Sequence, residues 1–207
     1  EELQKRLKAS AEKLLAVRSK RIWPSLDDKI LLGWNALMTS AYASAFTALG
    51  HIEYKEAAVR NLQFLRKNFQ VKNNLPSANH PSSDANAQHW RHSKSQAFAF
   101  LDDYAYLIAA CIDVYQITFD PEYLQLAGKC TDYVLEHFHD PNTAMFFYTD
   151  IKQTDILFRK KDLYDNATPS GNSTMVHNLQ RLGILLDRPE WREAASTMLM
   201  AIRETLE

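Results

Sequence analysis

At 207 residues the chain is long enough for one domain with a real buried core. Its 46% hydrophobic and 24% charged content is ordinary for a soluble globular protein, and a formal net charge of -1 leaves no basic footprint for nucleic acid. No apolar run reaches membrane-spanning length without a charge, and the opening EELQKRLKAS is no signal peptide, so the expected setting is cytoplasmic, with no membrane partner.

In chain order, the first segment carries Leu3, Leu7, Leu14 and Leu15 at helical spacing and reads as the outer helix of an earlier pair. The absence of an initiator Met points to a processed chain or a piece of something longer. Next, a helix is expected over about 28–49. Its core, WNALMTSAYASAFTAL, is apolar on nearly every side, as in a helix walled in by neighbours. After the short turn LGHIE comes EYKEAAVRNLQFLRKNF, with Ala58, Leu62, Leu65 and Phe69 on one stripe and Lys55, Arg60 and Lys67 outside it. That is an inner helix followed by an outer one.

A polar stretch over 71–95 then leads to a second inner helix at 100–119, a tight FDPE turn and a second outer helix. Over 141–168 the runs AMFFYTD and DILFRKKD flank the polar IKQT, which predicts a small β-hairpin near 144–160. A third inner helix is expected at 170–186, with LDRPE turning into a third outer helix. In TPSGNS, Thr168 is the expected N-cap, with Pro169 at the first helical position and Gly171 allowing close packing.

The three outer helices open on related motifs. Glu53-Tyr54, Glu122-Tyr123 and Glu190-Trp191 recur 69 and 68 residues apart, and Ala58, Ala127 and Ala195 follow each aromatic by four. Aromatic and alanine then share one face, a large-small pair that lets a neighbouring helix approach. The fold class expected is therefore all-α, from repeated antiparallel helix hairpins. Long connections at one end place a site on that rim.

Asn35, Asp103 and Asn172 occupy matching places at the inner-helix starts, 68 and 69 residues apart. The adjacent acids Asp102 and Asp103 exceed what one helix cap needs, so one is expected to cap while the other faces the cavity. Asp103 is the cavity candidate because it fits the repeat. The candidate catalytic carboxylates are Asp103, Asp28 and Asp165, since acids brought together from different parts of the rim could act as an acid–base pair. Candidate substrate contacts are Asp102, Tyr104, Trp34, Asn35, Trp90, Arg91, Lys161 and Asn172. Trp90 reads equally as a loop anchor, and the Lys161 charge run as solvated or as a lining for an acidic substrate.

No histidine spacing fits a metal, and TPSGNS lacks the glycine and lysine spacing of a phosphate-binding loop, so neither metal nor cofactor is expected. His177 reads as a core histidine within the third inner helix. Cys111 and Cys130 read as buried thiols, with a redox pair across the hairpin as the alternative.

The segments KRIWPSLDDKILLGWNALM, AFLDDYAYLI, FRKKDLYDNATPSGNS and NLQRL resemble, in order, signature segments of the thioredoxin-domain-containing, spermatogenesis-associated protein family. That family usually has Gly where Ala36 and Asn166 stand here. The resemblance implies a carboxy-terminal fragment of an (α/α)6 barrel, similar to N-acylglucosamine 2-epimerases and six-hairpin glycosidases, without the amino-terminal thioredoxin-like domain. It further implies exposed apolar flanks able to self-associate and a sugar as small-molecule ligand. The expected function is carbohydrate-active, as a glycoside hydrolase or a 2-epimerase-like isomerase. The alternative is a non-catalytic interaction module serving a thioredoxin-like domain in redox or protein quality control. Epimerases of that fold use inner-helix histidines, and only His177 is available here.

Overall fold

The computed structural model describes residues 1–69, 89–92 and 97–206, with side chains to Ile202. Most of the polar stretch over 71–95 lies outside the described residues. The described chain is all-helical: α1 (Glu2–Arg18), α2 (Leu32–Leu49), α3 (Ile52–Phe69), α4 (Leu101–Thr118), α5 (Pro121–His137), α6 (Gly171–Leu185) and α7 (Pro189–Leu206).

Three hairpins, α2–α3, α4–α5 and α6–α7, stand side by side. Each inner helix packs on its own outer partner, and α4 packs on both α2 and α6, which do not touch one another. An arc results, with α4 at its centre. That position explains the composition of α4: from Leu101 to Val114 it is buried at nearly every position, because helices stand on three of its sides. The outer helices are amphipathic instead. On α3, Ala58, Leu62, Leu65 and Phe69 are the buried residues, the stripe expected from spacing.

The repeat has the same physical role in each copy. Tyr123 and Trp191 are buried with Ala127 and Ala195, while Tyr54 is half-buried above a fully buried Ala58. The inner helices also stop alike. Gly50 after α2, Phe119 after α4 and Asp187 after α6 all have positive φ, at 74°, 59° and 52°. A left-handed residue there turns the chain back within a few positions. Asp120 then caps α5 through the Glu122 amide, with Pro121 at the first helical position.

α1 is exposed along its whole length and packs on no other helix of the described chain. Leu3, Leu7, Leu14 and Leu15 are at least 61% exposed. Ile22, Trp23 and Leu26 continue this apolar surface, and Leu199 and Met200 expose another on α7.

The hairpin expected near 144–160 is absent. The isolated bridge there, His139 to Phe146, does not join the two runs. One backbone bond, Tyr148 N–H to the Lys160 carbonyl at 2.8 Å, joins the two runs, and neighbouring groups are taken elsewhere. The Asn172 amide holds both the N–H and the C=O of Phe146, the Leu101 N–H donates to the Tyr148 carbonyl, and Arg159 donates to the Thr149 carbonyl. A β-prone run whose ladder groups serve helix starts and side chains forms no ladder.

Candidate functional site

The amino ends of α2, α4 and α6 meet at one rim, and α4 is the meeting point. The N-cap of α2 is Leu31, which has no side-chain oxygen to offer the free amides of the first turn. Asp103 supplies it from the next helix: the Gly33 N–H donates to Asp103 Oδ1 at 3.0 Å. The other oxygen, Oδ2, accepts from the Phe100 N–H at 3.0 Å and so caps α4 itself. One buried carboxylate thus caps two helices. A Cβ on Gly33 would lie 2.8 Å from Asp103 Oδ1. On the other side, a Cβ on Gly171 would lie 3.1 Å from the Asp102 amide. Glycine on both flanking helices lets their first turns close onto the acid pair.

This geometry reverses the expected roles of the two acids. Asp103, expected to face the cavity, is 4% exposed and turned between helices. Asp102, expected as a secondary contact, is half-buried and lines a small cleft of about 180 Å³. Its Oδ1 accepts from the Asp103 N–H, and its Oδ2 accepts from the Tyr148 hydroxyl at 3.3 Å. Tyr106, Tyr148, Asp162, Tyr164 and Ser170 complete an oxygen-rich lining. Register explains the reversal. Asp103 is the third residue of α4, where a carboxylate reaches back to its own N-cap; Asp102, one position earlier, points elsewhere.

Both carboxyls hold their protons more tightly than usual. Burial raises Asp102 most, against the pull of Arg91. Burial and the neighbouring Asp102 push Asp103 up to about 7. Two acids this close do not ionise independently.

Arg91 joins the pair to a second, larger cleft. Its Nη1 lies 3.5 Å from Asp103 Oδ2 and 3.4 Å from the Tyr148 hydroxyl, and its guanidinium stacks 4.3 Å over Phe100. The backbone of the strap carrying it is tied on all sides. His89 donates to the Tyr104 hydroxyl, Trp90 to the Phe69 carbonyl and Arg91 to the Ala97 carbonyl, while the Arg91 carbonyl accepts from the first amide of α2 at Leu32. Arg91, Trp34, Asn35, Phe64 and Phe100 line a cleft of about 840 Å³, with Asp27 and Lys29 at its edge.

The remaining candidates fall into two groups. Trp34, Asn35 and Arg91 lie in the larger cleft. The others, Asp28 apart, serve the fold. Tyr104 is buried, stacked on Tyr133, with its hydroxyl taken by His89. Trp90 stacks on Phe98 at 5.1 Å, the anchoring role. Asn172 is buried and fully bonded to Phe146 and the Asp162 carbonyl. Lys161 pairs with Asp140 and donates to Thr143, away from both clefts. Asp165 accepts from Ser170 and Ser173, bracing the start of α6. Asp28 is exposed ahead of α2 and lines neither cleft, whereas Asp27 does.

Ser170, rather than Thr168, caps α6 by accepting from Asn172 and Ser173, and Pro169 precedes the helix. Its carbonyl accepts instead from the Tyr106 hydroxyl. His177 is exposed on α6 and is not a core histidine. Among the described residues no cluster of three potential metal ligands occurs, and no helix is long and apolar enough to cross a membrane. The cysteines are buried and free. Burial drives both thiols up, Cys130 to about 12, which leaves little thiolate for redox exchange.

Tyr148 and Tyr106 were not singled out by sequence reasoning, and Asp162 was read among the rim polar groups without being a candidate site residue. Tyr148 sits in a run read as a strand, and Tyr106 in a helix read as apolar almost all round.

No family model matches the chain. It is similar to spermatogenesis-associated protein 20 of Rattus norvegicus, at 30% identity over 203 residues, which take in 97% of this chain and 25% of that protein. The chain therefore spans about a quarter of the length of the curated relatives it matches. Among solved structures it resembles cellobiose 2-epimerase from Bacillus thermoamylovorans, with a TM-score of 0.61 at 10% identity, covering 86% of this chain and 46% of that one. It also resembles an inactive variant of the α-1,6-mannanase of Salegentibacter, two neighbouring aspartates of which are replaced by asparagine, in complex with α-1,6-mannotriose. There the TM-score is 0.56 at 11% identity, over 90% of this chain and 49% of that one. At such identities these structures speak for the fold alone. The chain is a homologue of spermatogenesis-associated protein 20, and its three hairpins have the fold of (α/α)6 barrels, as in six-hairpin glycosidases and cellobiose 2-epimerases.

Proposed function

We propose that the rim formed by the amino ends of α2, α4 and α6 is a carbohydrate site, with Asp102 as the acid that meets the ligand. The observation that carries this reading is the placement of Asp102. Its carboxyl lines a cleft rich in hydroxyl and carboxyl oxygens, is held by Tyr148, and is raised by burial toward the range useful to a general acid. Asp103 is then a positioning residue, fixing the start of α4 and so the direction of Asp102. Asp162, in the same cleft, is the candidate second carboxylate for a glycosidase-type reaction. The mannanase variant in the comparison is inactive with two neighbouring aspartates replaced, which agrees with a role for the neighbouring Asp102 and Asp103 here. An epimerase-type proton abstraction has less support, because His177 lines neither cleft.

A binding module without catalysis is the second reading. It is favoured by how many rim groups already serve the fold, Asn172, Lys161 and Asp165 among them.

The two are separated by proton NMR of a sugar panel, neutral, N-acetylated and acidic, incubated with the intact protein. New anomeric signals that vanish in Asp102→Asn and persist in Asp28→Asn establish sugar chemistry at this rim. Binding without turnover supports the module. Neither binding nor turnover across the panel overturns the carbohydrate reading.

A further inference from the structure

Two clefts adjoin at the rim, and they differ in size and chemistry. The cleft at Asp102, about 180 Å³, falls below the roughly 300–1,000 Å³ of cavities that enclose a whole ligand. The one at Trp34, about 840 Å³, falls inside that range. Only a thin wall separates them. Phe100 of the larger cleft lies 4.8 Å from the Tyr148 ring of the smaller, and Arg91 spans the same wall to the Tyr148 hydroxyl. A ligand engaging Asp102 therefore has room for one end in the small cleft and continues into the large one.

The walls of the large cleft identify the chemistry of that continuation. Trp34 rises from the first turn of α2 with 67% of its surface exposed, and no other ring stacks on it among the described residues. A large aromatic face at a cleft mouth suits a partner with one apolar face and a polar perimeter. Phe64 and Phe100 supply further apolar wall, and Asn35 and Arg91 supply polar groups between them. Among the described residues that line it, both side chains that are always cationic are matched: Lys29 pairs with Asp27 at 3.2 Å and Arg91 with Asp103 at 3.5 Å, and His92 is the remaining titratable group. With Asp27 balancing Lys29 and Asp103 balancing Arg91, the described lining favours a neutral ligand over an acidic one.

We infer that the ligand is a neutral oligosaccharide of at least two rings, its end ring at Asp102 and its next ring stacked on Trp34. This assignment rests on the carbohydrate reading of the rim and specifies the substrate class and a binding residue that acts outside the acid's own cleft.

Saturation-transfer NMR on the intact protein tests it, with a neutral hexose, its disaccharide and trisaccharide, and a disaccharide ending in a uronic acid. The neutral disaccharide is expected to bind about tenfold or more tightly than the hexose, the gain of a stacked ring. Trp34→Ala removes that gain, bringing the disaccharide to the affinity of the hexose, and Trp34→Phe retains part of it. Equal affinity for hexose and disaccharide, or an unchanged disaccharide affinity in Trp34→Ala, overturns the two-cleft assignment while leaving the Asp102 reading intact. Preference for the uronic acid overturns the neutral class. If no sugar binds and Asp102→Asn is silent as well, the carbohydrate reading fails and this inference with it. Circular dichroism of each variant confirms that the helices are retained.

Discussion

The backbone N–H of Gly33 donates to Asp103 Oδ1 at 3.0 Å, so a carboxylate on one inner helix caps the helix beside it. The bond spans 70 residues of chain and couples α2 to α4 at the rim where both clefts open. Because Oδ2 also accepts from Phe100, Asp103 fixes two helix starts together, and Asp102 is aimed as a consequence.

Replacing Gly33 by Ala tests the closeness of that approach. The added Cβ would meet Asp103 Oδ1 at 2.8 Å, inside normal contact, and Asp103 is not free to move because two amides hold it. We expect a loss of about 1–3 kcal/mol in urea unfolding, typical of overpacking. An unchanged midpoint would mean that the two helix starts can part without cost.

The division of labour within the acid pair predicts opposite phenotypes for two single substitutions. In Asp103→Asn the amide has only one oxygen for two backbone donors, so one buried N–H loses its partner. Stability falls by about 1–3 kcal/mol. In Asp102→Asn the fold persists nearly unchanged, because Asp102 bonds a single neighbouring amide and a half-buried tyrosine, while ligand binding is lost. Chemical denaturation and sugar titration of both variants read this directly, and similar destabilisation of the two would remove the distinction.

Stability should also depend on pH in a defined window. Both carboxyls bind a proton more tightly folded than unfolded, Asp103 at about 7 against an ordinary 3.8. The folded state then holds the extra proton, so the pair's contribution is complete below about pH 3.8 and is lost as pH rises through about 7. Midpoints of thermal unfolding are expected to fall between pH 5 and pH 8 by more in the wild type than in Asp102→Asn, where Asp103 loses its acidic neighbour and keeps only Arg91 beside it. A steeper fall in the variant would contradict the coupling.

How much of this was legible in the sequence depends on whether a residue acts locally or across helices. The hairpin repeat was legible because aromatic-alanine pairs and apolar stripes are local consequences of helical period, and Ala58, Leu62, Leu65 and Phe69 are buried accordingly. The rim as the place of the clefts followed from the same repeat. Of Asp103's two roles, capping its own helix follows from its third position in α4, whereas its bond to Gly33 depends on α2 lying against α4, which no local pattern encodes. Tyr104 looked like a rim residue by proximity, yet its rotation about the helix axis takes it into the core beside Tyr133. The β-prone run around Tyr148 was misread because strand propensity says nothing about a remote asparagine that takes its backbone groups.

That asparagine yields the last prediction. Asn172 is buried at the start of α6, and its side chain makes three bonds across the fold. Oδ1 accepts from Phe146 N–H at 2.8 Å, and Nδ2 donates to the Phe146 and Asp162 carbonyls, each at 3.0 Å. It stands where a β partner would stand for Phe146 and ties the loop bearing Tyr148 and Asp162 to the helix that closes the small cleft. Asn172→Ala leaves one donor and two acceptors without those partners, at about 1–3 kcal/mol for a buried group that stays unsatisfied. The expected signature is local as well as global: faster amide exchange at Phe146 and across the loop, with the α4–α5 hairpin protected as before. Sugar affinity should fall in parallel, because Asp162 and Tyr148 lose their fixed positions although Asn172 touches no ligand. Asn172→Asp, which keeps the acceptor for Phe146 N–H and removes the two donors, should lie between Ala and wild type in exchange rate. Equal exchange at Phe146 in all three proteins would show that the loop is held by other contacts, such as Arg159 on the Thr149 carbonyl.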